Sequence, residues 1–324
     1  MDFFFSAINL WCSKNLVDLE YVIWNILSNQ NNKNIKFFEE PENNQVKYLI
    51  INTCWFLSSS RDEAEETIRY YDNLWKKIIL MWCYIPVRDD KFLSSLKNLH
   101  KIIPQKESEK SIDDLVWNKN SLESKIKNFK ENKLKDYLNN LDRLETDKKA
   151  FVWSWKSVRL PFNSPYWHEF VKISEWCDNR CSFCIIPKIR WDQKSRSIED
   201  IIEEIKKLVW VWVKEIEIIS QDTTRYWTDL YDEAKLFELL EKIDQIDLDF
   251  KFRIFYLYPD ILTFEHLKKL KKLKKFIPYF DLPFQHISEK ILKRMWRFYN
   301  QKHILDLLDF IKKEFPNCFL HTNY

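Results

Sequence analysis

Not one glycine occurs among the 324 residues of this chain. Average usage would supply roughly 23. Glycine carries a backbone through positive φ and lets it approach a ligand closely. A mixed chain without it lacks the ordinary means of closing helices and tight turns. Fifteen tryptophans accompany that absence, and many stand where glycine is wanted. Trp227 follows a polar run in RYWTDLY, Trp153 and Trp155 flank a serine, and Trp11, Trp82 and Trp176 each directly precede a cysteine. An indole cannot do the work of a missing side chain. Both counts are reconciled if these are glycine positions, encoded by UGA in a gene that uses that codon for glycine. The abundance of Lys, Asn and Ile, a mark of an AT-rich gene, agrees with this reading.

The remaining composition is that of an ordinary globular protein, 45% hydrophobic and 31% charged, with room for two domains. No apolar run reaches the ~18 residues of a membrane-spanning helix. The N-terminal MDFFFSAINLWCSKN lacks the basic segment and cleavage site of a secretion signal, so a cytoplasmic protein is expected. A net charge of +3 neither demands nor excludes a nucleic-acid partner. The run KKLKKLKK at 268–275 reads as the solvated face of an amphipathic helix.

The hydrophobic pattern predicts a strand at 3–9, a helix at 15–29, a strand at 47–53, a helix from about Ser60 and a strand at 77–81. Such alternation implies a parallel sheet with helices on its faces, an α/β fold. Cys12, Cys54 and Cys83 fall just past the strand ends, where open α/β sheets place their ligands. Residues 121–148 are rich in Lys, Glu, Asn and Leu and read as a helical connector. From His168 strands are expected at 168–174, 214–219, 250–257, 277–282 and 317–322. Helices are expected at 198–209, 233–244, 263–274, 288–295 and 302–314. Five such units suggest an incomplete (β/α) barrel of parallel strands. The expected division is a first domain over 1–120, a connector over 121–162 and a second domain over 163–324. A chain that stops directly after a strand reads as a fragment.

The strongest chemical signal is SEWCDNRCSFC, with Cys177, Cys181 and Cys184 spaced CxxxCxxC. A four-iron cluster ordinarily takes four thiolates, so three leave one iron open to a small molecule. Zinc would call for a closed set of four ligands, and no fourth Cys or His lies near in sequence. A disulfide does not suit a reducing compartment. The motif resembles that of the radical S-adenosylmethionine superfamily. The resemblance implies a [4Fe-4S] cluster whose open iron is chelated by the amino and carboxylate groups of S-adenosylmethionine. It also places the aromatic residue before the last cysteine, here Phe183, near the adenine.

The contexts of the other trio are NLWCSKNLVDLE, INTCWFL and LMWCYIPVR. With glycine restored they become GCSKNLVD, NTCGF and GCYIPVR, similar to the three cysteine motifs in the N-terminal domain of the radical S-adenosylmethionine methylthiotransferases. That resemblance implies a second [4Fe-4S] cluster on Cys12, Cys54 and Cys83, with an open iron for the sulfur to be delivered. Cys318 is left over and reads as a core residue. The likeness runs from about Ser6 to Tyr324, weakest across the connector. ISQDTTRYWTDLY, YLYPD and DLPFQHIS bring the chain nearer to the branch that modifies an aspartate of a small-subunit ribosomal protein. The tRNA-adenosine branch has Gln-Asn-Val-Asn where this chain has Gln221-Asp222-Thr223-Thr224, and Met-Asn where it has Lys14-Asn15. The family continues into a further strand and a small TRAM-like β domain that docks the substrate. Both are missing here, as is a glycine-rich segment after the fifth barrel strand.

In such a family a radical derived from S-adenosylmethionine takes hydrogen from the aspartate β-carbon. The sulfur then couples to that carbon, and a second S-adenosylmethionine gives the methyl group. An electron donor such as a flavodoxin or ferredoxin is implied. The scheme requires no general acid or base, so no catalytic side chain is singled out. Gln221 and Gln285, with neighbouring Asp222 and His286, follow barrel strands and are open to cofactor contact or to structural hydrogen bonds. Arg190 and Arg196 could hold a carboxylate or pair with the start of a helix. A tRNA-adenosine enzyme is the alternative within the family. A non-catalytic iron–sulfur protein or inactive fragment is the alternative outside it.

Overall fold

Apolar residues run consecutively rather than alternately through the strands of the first half, as they do in strands covered on both faces. The computed structural model describes residues 3–10, 12–28, 34–54, 58–82, 90–103, 167–175, 177–186, 193–210, 213–231 and 233–322. The chain divides into two compact units. One is Met1–Phe151 with Val158–Asn163, and the other is Val152–Ser157 with Ser164–Tyr324.

In the first unit β1 (Phe3–Asn9), β2 (Ile35–Phe37), β3 (Tyr48–Thr53), β4 (Lys77–Trp82) and β5 (Leu99–Ile103) form one sheet in the order β2-β1-β3-β4-β5. Every pairing is parallel. All six residues of β3 are buried. Helices α1 (Ser13–Ser28), α2 (Ser58–Asn73) and α3 (Asp90–Ser95) connect them. The helical spacing of Leu19, Val22, Ile23, Ile26 and Leu27 puts one stripe of α1 into a core with Phe3, Phe5, Tyr48, Ile50, Ile79 and Met81. Strand order reverses direction between β1 and β3, and such a switch point opens a crevice at the carboxyl ends of the strands. Cys12 and Cys54 follow those two strands.

In the second unit β6 (His168–Lys172), β9 (Glu215–Ile219), β10 (Lys251–Ile254), β11 (Phe276–Asp281) and β12 (Phe319–His321) are parallel neighbours in sequence order. Between them lie α4 (Ile198–Trp210), α5 (Thr228–Tyr231), α6 (Leu236–Asp244), α7 (Phe264–Lys272), α8 (Glu289–Arg294) and α9 (Gln301–Glu314). The expected parallel α/β architecture is present in both units. The lysine run starts on α7, where only Leu267 and Leu270 are buried and Lys268, Lys269, Lys271 and Lys272 face solvent, and continues past the helix to half-buried Lys275. One face of this sheet is mostly apolar (Val171, Ile216, Ile218, Phe252, Ile254), with buried Glu169 in register beside Ile216. The other carries Glu215 and Glu217 against Arg253 of the neighbouring strand.

Four short strands escaped the sequence pattern. Three residues of β2 are too few to show a period, and β5 mixes His and Lys into its run. The two-residue strands β7 (Ser174–Glu175) and β8 (Lys194–Ser195) pair antiparallel. Cys318 sits half-buried in the turn before β12, with its N–H on Phe315 O, rather than on the strand or in the core. No described helix is long and apolar enough to cross a membrane.

The left-handed region of the backbone is occupied at Trp75 (φ 59°), Trp227 (φ 81°), Tyr256 (φ 60°), Gln285 (φ 66°) and Trp296 (φ 57°). Trp11, Trp55, Trp153, Trp155, Trp176 and Trp191 lie outside the described residues.

Candidate functional site

At the switch point of the first sheet, buried amides tie the strand ends together. Asn52 Nδ2 donates to Asn9 Oδ1 (3.1 Å) and to Asn15 O (2.5 Å). Asn15 Nδ2 donates to Thr53 O (2.9 Å), and Thr53 Oγ1 to Met81 O (2.8 Å). Asn9 Nδ2 reaches Cys12 O (3.2 Å), and Leu16 N caps the same carbonyl (2.8 Å). Asn15, Asn52 and Thr53 are completely buried. The ends of β1, β3 and β4 and the start of α1 are thereby locked around Cys12 and Cys54, both half-buried. Cys83, expected to join them after β4, lies outside the described residues. The amide network was missed in the sequence, although all its residues sit within three positions of a motif cysteine or of Met81. Polar residues at strand ends inside apolar runs were the available signal.

In the second unit the CxxxCxxC loop leaves β7 and returns at β8. Ser182 fastens it to the end of α8, with its N–H on Met295 O (3.2 Å) and its hydroxyl on Arg294 O (2.7 Å). Gln193 N donates to Asp178 Oδ1 (2.7 Å), and Asn179 Nδ2 donates to Asp222 Oδ2 (2.5 Å). Asp222 is buried and accepts from Thr224 N (3.1 Å) and lies 3.4 Å from Arg225 Nε. Burial raises its pKa, opposed by hydrogen bonds from Thr224 and Asn179 and by the Arg225 charge. Asp222 is therefore a clamp on the cysteine loop. Gln221 beside it is half-buried.

Burial pushes the Cys177 thiol up to about 12, and the Asp222 carboxylate adds to this. Cys181 and Cys184 are raised by burial as well, with the Arg297 guanidinium opposing the rise at both. Among the described residues no three His, Cys, Asp or Glu side chains converge on a single-ion position. A cubane cluster spreads its thiolates over different irons, and three partly buried thiols on one fastened loop suit a [4Fe-4S] cluster with one open iron.

Phe183 is 46% exposed between Cys181 and Cys184, with Arg297 Cζ 5.6 Å from its ring centre. Gln285 is half-buried in its left-handed turn after β11, with no role fixed by a hydrogen bond among those described. His286 has a structural role: its Nδ1 accepts from Ser288 N at 2.8 Å. Arg196 pairs with Asp200 (2.7 Å) and Glu204 (2.6 Å) at the start of α4. Of its two expected uses the helix pairing is the one found. Arg190 lies outside the described residues.

The radical SAM superfamily matches residues 171–324. Over 98% of its length the chain is 33% identical to the ribosomal protein uS12 methylthiotransferase RimO of Dictyoglomus thermophilum, covering 67% of that protein. It is 34% identical to that of Clostridioides difficile over 97% of its length, covering 66%. For Aquifex aeolicus the figures are 32%, 98% and 64%. The chain thus spans about two thirds of the length of these curated relatives. Among solved structures it resembles the radical S-adenosylmethionine methyltransferase TsrM from Kitasatospora setae with cobalamin and a [4Fe-4S] cluster bound. That match has a TM-score of 0.59 at 9% identity and covers 99% of this chain and 69% of that one. It also resembles the cobalamin-dependent radical enzyme OxsB with S-adenosylmethionine bound, with TM-score 0.56, 11% identity, and 98% and 48% covered. At such identities the likeness is one of fold.

Proposed function

The chain belongs to the family of ribosomal protein uS12 methylthiotransferases RimO, and we propose that it adds a methylthio group to the β-carbon of an aspartate of uS12 in the cytoplasm. The observation that carries this reading is the CxxxCxxC loop, fastened to Met295, Arg294 and Asp222 beside a five-stranded parallel sheet. Cys177, Cys181 and Cys184 hold one [4Fe-4S] cluster in this reading. Cys12 and Cys54, with Cys83, hold a second. Together with S-adenosylmethionine these clusters supply the hydrogen-abstracting radical and the sulfur, the electron coming from a flavodoxin- or ferredoxin-like donor.

The chain's own residues bind and orient. Asn179 and Asp222 hold the first cysteine's end of the loop, and Ser182 holds its middle against α8. Phe183 offers a half-exposed ring as a face for adenine. Gln221 and Gln285 follow β9 and β11 on the same end of the sheet and are available to the polar parts of S-adenosylmethionine. The buried thiols are held in the protonated form, so loading of iron displaces their protons and is favoured as pH rises.

Deletion of the gene in its own host tests the assignment. Intact-mass measurement should show uS12 lighter by one methylthio group, while nucleoside analysis finds tRNA methylthioadenosine unchanged. Loss of methylthioadenosine with uS12 unaltered would move the activity to tRNA.

A further inference from the structure

Arg297 is only 7% exposed, yet its Nε and Nη1 have no hydrogen-bond partner among the described residues. No described carboxylate forms an ion pair with it. Its guanidinium lies 4.4 Å from the Tyr258 ring centre and 5.6 Å from that of Phe183. Tyr258 in turn meets Tyr299 edge-on at 5.9 Å. An isolated buried cation is costly, and cation–π contacts recover only part of that cost. The groups that would compensate it are thiolates: the Phe183 ring it faces lies between Cys181 and Cys184 on the cysteine loop. One helix end carries both the arginine and the loop. Arg297 N bonds Leu292 O (2.9 Å) at the end of α8, the same helix end that accepts Ser182 from the cysteine loop.

We propose that Arg297 is the counter-charge of the Cys177–Cys181–Cys184 cluster, a positioning residue whose buried guanidinium makes one-electron reduction of that cluster easier. This rests on the cluster reading above. Adding one electron adds one negative charge beside a fixed positive one in a poorly solvated site, where such a charge is weakly screened. The test uses the anaerobically reconstituted chain carrying Cys12→Ala and Cys54→Ala, so that one cluster contributes. Its midpoint potential is read by dithionite titration followed by electron paramagnetic resonance. Failure of this protein to bind iron overturns the cluster reading itself. If it binds, Arg297→Met should shift the potential to more negative values and Arg297→Lys should hold it near the parent. An unchanged potential in Arg297→Met overturns the proposal. Should Arg297→Met fail to load, loading by Arg297→Lys with the parent potential supports a charge role, and loss in both variants overturns it.

A second observation stands apart from the metal chemistry. Two helices end in the same hydrogen-bond pattern. After α2, Lys76 N reaches Tyr71 O (3.3 Å) and Trp75 N reaches Asp72 O (3.2 Å). After α8, Arg297 N reaches Leu292 O (2.9 Å) and Trp296 N reaches Lys293 O (3.2 Å). This is the Schellman motif, whose left-handed position is ordinarily glycine. Here Trp75 and Trp296 occupy it, 75% and 56% exposed, where a bulky residue strains the backbone and leaves its indole in water. We infer that glycine is the native residue at Trp75, Trp296 and the left-handed Trp227, inserted at UGA. Peptide mass spectrometry of the protein purified from its own host should find glycine at all three positions. Tryptophan at Trp75 and Trp296 in that protein overturns the inference.

Discussion

Cys12 and Cys54 belong to strands distant in sequence and reach neighbouring positions only because β1 and β3 pair in register, from Phe5↔Tyr48 to Asn9↔Asn52. Cys177, Cys181 and Cys184 share one loop and need no sheet to be near one another. The surroundings differ accordingly. The hydrogen bonds described at the first site come from amides and a hydroxyl, with Lys14 and Asp18 also buried on the first turns of α1. The second is held by ionisable groups, with Asp222, Arg225 and Arg297 around the thiols. A local loop keeps its connectivity whatever its charges do, and it can use them to tune its chemistry.

The largest effect expected of this comparison is in iron content. Reconstituted anaerobically, the full chain should hold about eight irons, the complement of two four-iron clusters. Replacing Cys177, Cys181 and Cys184 by Ala, or Cys12 and Cys54 by Ala, should each leave about four. A parent protein that stays near four would break the comparison, because the first site would then be structural.

Asn52→Leu sharpens it. Removing both donated bonds strands the Asn15 carbonyl and Asn9 side chain inside the unit, at about 1–3 kcal/mol of stability. Chemical denaturation should register that loss, and iron analysis should show the first cluster lost with the second retained. Equal loss from both would mean that the network serves the whole chain rather than one site.

Glu217 makes the second unit sensitive to pH near neutrality. Burial, with Glu215 adding and Arg253 opposing, raises Glu217 from 4.5 to about 7. His168 Nδ1 stands 3.6 Å away. The folded carboxyl binds its proton more tightly than the unfolded one, so its stabilising contribution is complete below pH 4.5 and is lost as pH rises through about 7. Denaturation at pH 5 and pH 8 should show a fall of about 2 kcal/mol, and Glu217→Gln should flatten it. A parent profile already flat would remove Glu217 as a source of pH sensitivity.

The smallest effect concerns the helix end in the first unit. Trp75→Gly relieves a left-handed backbone and should raise stability by about 1 kcal/mol, without altering iron content. A lower melting temperature would show that the indole contributes packing there.

The sequence alone determined the alternation of strands and helices, because burial on both faces writes a parallel strand as an apolar run and a covering helix as a stripe. It also determined the CxxxCxxC spacing on which the proposed cluster rests, since a cluster held by one loop depends on spacing within that loop. Trp227 was legible too, as a residue type at odds with its neighbours, and its backbone is left-handed. Only the tertiary structure decided the rest. The order β2-β1-β3-β4-β5, which puts two cysteines at a switch point, comes from strand pairing that no local pattern encodes. Asn52 reads as one polar residue in YLIINT until the fold turns it between two chain segments. Arg297 reads as one of many surface cations until the end of α8 buries it beside Phe183 and Tyr258. Backbone propensity is local and therefore written in neighbouring residues, whereas the electrostatic surroundings of a side chain are set by groups far away along the chain.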